Sequence, residues 1–344
     1  MKKQYPASAA MQANYFVKNA FEKFIEHVQR FMLWREGPFL PPHKKNKYVE
    51  QFIEQELTRY YEEGIFELPS VQFGITTRCT LRCRDCSVMI SRFGENGVPH
   101  YEMSFAQFRH NFDVLAEAVD GIGTVLLLGG EPLLNKYLPD MVEYAASSDK
   151  VRMVNIVTNC TLPPSSRLLD VAAAAKHKVF FGLSNYAGNP VLAPVLKRAE
   201  IIEMLSGRDI KHTLDTGDTS WFIYELRQCE YSPAQMKEVF SSCPWHHCFY
   251  VLDSSLTLCA RCLIGEKLGA FSLAPEDKID LSSTTGQALR KHLLDFFEKD
   301  VFSPCQFCLR HKEMARPAEQ LSTDRYKARS SDAAAEECNG TKHY

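Results

Sequence analysis

Between residues 71 and 215, short β-rich runs alternate with amphipathic stretches, and this alternation restricts the fold more than any other feature of the chain. Strands are predicted over 71–77, 124–128, 153–158, 179–184 and 211–215, and helices over 104–119, 135–146, 165–176 and 190–205. Parallel neighbours need a crossover of about a dozen residues or more, and such crossovers are right-handed. The expected class is therefore α/β, built from βαβ units as an open sheet or partial barrel.

The flanks read differently. Residues 11–64 are expected to be helical, with Phe16, Ala20, Phe24, Ile25, Val28 and Phe31 at helical spacing, a proline-rich break at 37–42 and a second helix over 48–61. Ser232 followed by Pro233 reads as a helix start, and 249–252 with 256–260 as a hairpin around Asp253, Ser254 and Ser255. A helix over 286–299 follows, and beyond about Met314 the chain turns polar and small, as a disordered tail does. The expected division is an N-terminal helical extension (1–69), a core (70–230), a cysteine-rich α+β segment (231–314) and a tail (315–344).

Forty Lys and Arg nearly cancel 42 Asp and Glu, which gives no electrostatic reason to expect nucleic acid or a membrane surface as a partner. There is no run of signal-peptide character and no stretch of about 18 apolar residues, so the expected location is the cytoplasm. Twelve cysteines are many for such a chain, and clustered thiols in a reducing compartment bind metal or do redox chemistry more often than they pair.

Three of them, Cys79, Cys83 and Cys86, follow the first predicted strand in RCTLRCRDCS with C-x3-C-x2-C spacing. Three thiolates on one short loop can face a single point, and soft sulfur suits zinc or an iron–sulfur cluster. Three ligands leave one coordination position open; the spacing alone leaves cluster, zinc and plain buried thiols as readings. The second strand ends in Gly129-Gly130-Glu131-Pro132, a junction where glycine lets the backbone approach a ligand closely. The third and fourth end in Thr158-Asn159 and Ser184-Asn185, at the strand ends where barrel enzymes place their sites. Cys160 reads as a small buried residue.

Over about residues 70–220 this pattern resembles the radical S-adenosylmethionine (radical SAM) superfamily, in which C-x3-C-x2-C lies on the loop after the first strand of a partial (β/α)6 barrel. The resemblance implies that Cys79, Cys83 and Cys86 ligate a [4Fe–4S] cluster whose open iron chelates S-adenosylmethionine. It implies that Gly129, Gly130 and Glu131 meet the cofactor's amino group, and that Asn159 and Ser184 contact its ribose or carboxylate. A reduced cluster then yields a 5′-deoxyadenosyl radical that removes a substrate hydrogen. Asp85 departs from the family, which usually has a hydrophobic residue before the third cysteine. It is expected to accept from the adenine amino group or to face water.

Downstream lie Cys243, Cys248, Cys259, Cys262, Cys305 and Cys308. Two C-x2-C knuckles at 259/262 and 305/308 suit a zinc ribbon. The competing reading resembles the twitch domain, the shorter relative of SPASM, and implies a second, auxiliary [4Fe–4S] cluster on Cys248, Cys259, Cys305 and Cys308, with Cys243 and Cys262 surplus. His246 and His247 read as flanking groups, and Asp215, Asp218 and Trp221 as candidates for lining a polar pocket. The implied reaction is net oxidation of a small polyhydroxylated substrate of sugar or aminocyclitol type, with an electron donor such as flavodoxin or ferredoxin. The alternatives are modification of a peptide or protein and a non-catalytic iron–sulfur or zinc protein.

Overall fold

The computed structural model describes residues 57–94, 97–213, 221, 228–243, 248–308 and 316–321. Most of the N-terminal extension and the residues Asp215, Asp218, His246 and His247 lie outside the described residues; of the extension, 57–63 are helical.

Four βα steps and a fifth strand follow in order: β1 (Glu67–Thr76), α1 (Phe105–Ala118), β2 (Gly121–Gly129), α2 (Leu138–Ser147), β3 (Val151–Thr158), α3 (Ser166–Ala174), β4 (Val179–Leu183), α4 (Arg198–Ser206) and β5 (Lys211–His212). After them come α5 (Pro233–Ser241), β6 (Phe249–Leu252), β7 (Ser255–Thr257), α6 (Ala260–Lys267), β8 (Ile279–Asp280) and α7 (Gly286–Phe297). Local chemistry explains several starts. Ser104 and Ser165 cap α1 and α3 by accepting from Gln107 N and Leu168 N, and Ser232 with Gln235 forms a reciprocal capping box ahead of Pro233.

The strands of the described residues join one sheet, in the order β5-β4-β3-β2-β1-β6-β7-β8. The six strands from β5 to β6 run parallel, while β7 and β8 are antiparallel additions. Strands β6, β7 and β8 of the cysteine-rich α+β segment expected from residue 231 extend the core sheet beyond β1. β6 and β7 form the expected hairpin around Asp253 and Ser254, and because Phe249–Leu252 is apolar and buried throughout, as a central parallel strand reads, β6 also inserts beside β1. Helix α7 packs against α1 and closes the same face.

One face of the sheet meets the helices: Phe73 stands edge-on to Phe108 at 4.9 Å, and Phe249 packs on Phe297 at 5.3 Å. The register places Tyr250, Gln72, Leu126, Asn155 and Phe180 in one row on the opposite, inner face. Gly74 is in that face as well; a Cβ there would lie 2.1 Å from the Tyr250 hydroxyl, so the tyrosine lies flat across β1.

Two expectations change. The single helix over 190–205 is a one-turn 3-10 helix at Ala193–Val195 followed by α4, because Pro190 and Pro194 remove N–H donors and disfavour helix in the residues before them. Residues 316–321, expected in the disordered tail, are packed against the loop that carries the first three cysteines. No helix among the described residues is long and apolar enough to cross a membrane.

Candidate metal and cofactor site

The loop after β1 carries Cys79, Cys83 and Cys86 at the C-terminal end of the sheet. Burial pushes the Cys79 thiol up to about 11; the Leu81 N–H opposes the rise, and Cys86 and Glu131 add to it. Cys83 is raised by burial and then by Cys86, and Cys86 by burial, although the backbone amides of Val88, Ile90, Met89 and Ser91 face its sulfur and oppose it. Three neighbouring thiols that resist ionisation when alone are a donor set that a cationic iron core would convert to thiolates. Three soft thiol donors on one short loop are one short of a closed tetrahedral zinc site and suit a cluster that leaves one corner open.

The glycine junction seals this loop from beneath. A Cβ on Gly129, whose φ is +150°, would lie 2.2 Å from Thr76 O, and one on Gly130 would lie 2.0 Å from Arg78 O. Gly130 N donates to Thr76 O at 2.7 Å and Glu131 N to Arg78 O at 2.8 Å. Asn159 reaches in from the end of β3, its Nδ2 donating to Cys79 Sγ at 3.5 Å and to Thr80 Oγ1 at 3.0 Å. Ser184 is buried at the end of β4, its N donating to Thr158 O at 3.0 Å. Thus the candidate residues at the ends of β1, β2, β3 and β4 meet at one end of the sheet, and Cys160 is buried beside them.

Glu131 is fully buried and accepts from Thr158 Oγ1 (2.8 Å), Leu133 N (3.2 Å) and Asn159 N (2.8 Å). In the protein alone its carboxylate ties β2 to β3. Burial nevertheless dominates these donors and lifts its pKa from the ordinary 4.5 to about 7. The folded chain then keeps a proton that the unfolded chain loses above about 4.5, so stability falls as pH rises from about 4.5 to 7 and levels off beyond. The loss amounts to about 3 kcal/mol, at about 1.4 kcal/mol per unit. Urea unfolding of metal-free protein at pH 5 and pH 8 should show it, and Glu131→Gln should flatten that part of the slope. An equal pH dependence in wild type and variant would refute this account.

Asp85 faces neither water nor open space: it is 4% exposed, and Arg84 Nε donates to its Oδ2 at 3.1 Å. The Arg84 neighbour is the reason, and the pair RD in the sequence was the available signal.

In the second group, Cys262 is buried, hydrogen-bonded to Cys259 and close enough to Cys305 and Cys308 for all three to raise its pKa further after burial. Arg261 Nη1 donates to Cys308 Sγ at 3.4 Å. Cys248 lies nearer Cys243 and Cys259, and Gln72 of the inner face hydrogen-bonds to it. Cys262, surplus on spacing, is thus inside the group.

Sequence reasoning missed Tyr250. Its hydroxyl is buried without a protein partner, and it lies within electrostatic reach of both Cys86 and Cys259. Both amide atoms of Asn155, in the same inner row, are likewise buried without partners. Trp221 stands edge-on to Tyr186 at 5.5 Å.

Residues 73–218 match the family described as the Radical SAM superfamily, and the chain carries a radical SAM domain there, which implies a [4Fe–4S] cluster and S-adenosylmethionine. The chain is 30% identical over 93 residues to the GTP 3′,8-cyclase of Syntrophomonas wolfei subsp. wolfei, covering 27% of each chain, and 30% identical over 99 residues to that of Pelotomaculum thermopropionicum, covering 29% of each. The matched stretch thus spans under a third of these curated relatives. Among solved structures it is similar to BtrN in complex with AdoMet and 2-DOIA, with 16% identity, 74% of this chain and 97% of that chain covered, and a TM-score of 0.43. It is also similar to native anSMEcpe with bound AdoMet and Cp18Cys peptide (16% identity, 43% and 42% covered, TM-score 0.33) and to Streptococcus suis SuiB bound to S-adenosylmethionine (19%, 56% and 44%, 0.34).

Proposed function

We propose that this protein is a radical SAM enzyme that oxidises a small polyhydroxylated substrate, of sugar or aminocyclitol type, on the inner face of its sheet. The observation that carries the reading is the meeting of the three-thiol loop, the Gly129-Gly130-Glu131 junction and Asn159 at one end of that sheet. When bound, the cluster and S-adenosylmethionine supply a radical able to take hydrogen from an unactivated C–H bond. Cys79, Cys83 and Cys86 hold the cluster, and Gly129 and Gly130 keep the backbone of β2 tight beneath it. Glu131 has three of its roughly four acceptor sites filled within the protein, which leaves one for the cofactor ammonium. Asn159 steadies the Cys79 sulfur, and Ser184 would contact the cofactor's ribose or carboxylate.

Support for a hydroxylated substrate comes from Tyr250 and Asn155. A buried polar group without a partner costs about 1–3 kcal/mol, which hydrogen bonds to a polyol would offset. Support for net oxidation comes from the second cysteine group, for which an auxiliary [4Fe–4S] cluster on Cys248, Cys259, Cys305 and Cys308 would accept the second electron. The packing of Cys262 against Cys259 makes it the competing ligand in that set. The likeness to GTP 3′,8-cyclases covers under a third of each chain and favours no substrate.

The test is anaerobic turnover of reconstituted protein with reductant, S-adenosylmethionine and panels of aminocyclitols, sugars and short peptides. A polyol that loses two hydrogens as 5′-deoxyadenosine forms in equal amount supports the reading. Turnover coupled only to peptides would replace it with a maturase.

A further inference from the structure

Residues 316–321 lie antiparallel to the middle of the cysteine loop. Leu321 N donates to Arg82 O and Arg84 N to Glu319 O, both at 2.7 Å, and Cys83 and Gln320 form the bridge between them. Arg84 grips Glu319 with both guanidinium ends, at 3.1 and 2.7 Å. On the other side, Asn189 Nδ2 donates to Pro317 O and Ala318 O, which ties the segment to the loop after β4. Ala318 is fully buried in a cluster with Leu81, Cys83, Tyr186 and Leu192, and it holds a left-handed φ of 49°. For alanine that conformation costs about 1–2 kcal/mol, so the packing around it imposes the turn.

The Gln320 side chain is oriented by its partners. Its Oε1 accepts from Arg82 N at 2.7 Å and its Nε2 donates to Ala318 O at 2.7 Å; rotating the amide would set donor against donor and acceptor against acceptor. In this orientation Nε2 also points at Cys83 Sγ, 3.5 Å away.

We propose that residues 316–321 form a strap that fixes the Cys83 corner of the cluster loop, and that Gln320 is a positioning residue whose amide N–H favours the reduced cluster. Hydrogen bonds to ligand sulfur help to set cluster potentials, and reduction adds negative charge that a donor stabilises. The proposal rests on the assignment of Cys79, Cys83 and Cys86 to a cluster, and it makes a demand that this assignment does not.

The test is a redox titration, followed by electron paramagnetic resonance, of the reconstituted full chain and its Gln320→Glu and Gln320→Ala variants. The signal to follow is the one that changes on adding S-adenosylmethionine, which separates this cluster from any other. Both variants should titrate at a more negative potential, Glu further than Ala. For Gln320→Glu the oxidised-to-reduced ratio at fixed potential should rise about tenfold, which is about 59 mV for one electron. Gln320→Ala should also lose iron to a chelator faster than wild type. Should that variant retain no iron, Gln320→Glu, which keeps the shape and the backbone pairing, carries the test. Wild-type potential in Gln320→Glu would overturn the proposal. A wild-type chain that takes up no cluster would overturn the thiol assignment instead.

Discussion

Gly130→Ala should destabilise the metal-free protein by about 3–5 kcal/mol and leave it unable to retain iron at the first three cysteines. The added methyl would lie 2.0 Å from Arg78 O and 3.1 Å from Cys79 N, and neither is the end of a flexible side chain that can swing away. Overpacking alone costs about 1–3 kcal/mol. Two short backbone bonds, Gly130 N to Thr76 O and Glu131 N to Arg78 O, must lengthen to make room, at about 1 kcal/mol each. The displaced segment leads directly into Cys79, so the loss reaches the metal site. Denaturant unfolding and iron analysis check both halves, and a variant within about 0.5 kcal/mol of wild type with full iron would refute the packing argument.

The second large effect concerns metal content. With both proposed clusters present, reconstituted protein should hold about eight iron and eight sulfide, and Cys79, Cys83 and Cys86 replaced together by Ala should leave about four of each. A zinc ribbon on the second cysteine group forecasts a triple variant with one zinc and almost no iron. Replacing Cys248 and Cys262 singly then decides which of them completes the set. Cys262 has the tighter packing against Cys259, whereas Cys248 is hydrogen-bonded by Gln72 on the inner face.

The parallel core was legible because its signals are local: β-rich runs, serine caps and the strand that empties into the cysteine loop. Cys79, Cys83, Cys86 and the Gly129-Gly130-Glu131 junction were readable for the same reason, and the structure brings them together. What escaped depends on contacts far apart in sequence. Nothing local in Phe249–Leu252 tells that this strand of the expected hairpin also pairs with β1, since a buried apolar run serves a hairpin or a central strand alike. Residues 316–321 look like tail because their composition is polar and small. Their order comes from Arg84, Arg82 and Asn189, more than a hundred residues away. Tyr250 was hidden for a related reason: only the register beside Gly74 shows that its hydroxyl faces inward without a partner.

The most direct measurement is 5′-deoxyadenosine formation by anaerobically reconstituted protein given a strong reductant and S-adenosylmethionine, with Cys83→Ala alongside. The account predicts 5′-deoxyadenosine and methionine from the wild type and neither from the variant. An iron-loaded wild type that leaves S-adenosylmethionine intact, or a Cys83→Ala protein that cleaves it at the wild-type rate, would contradict it.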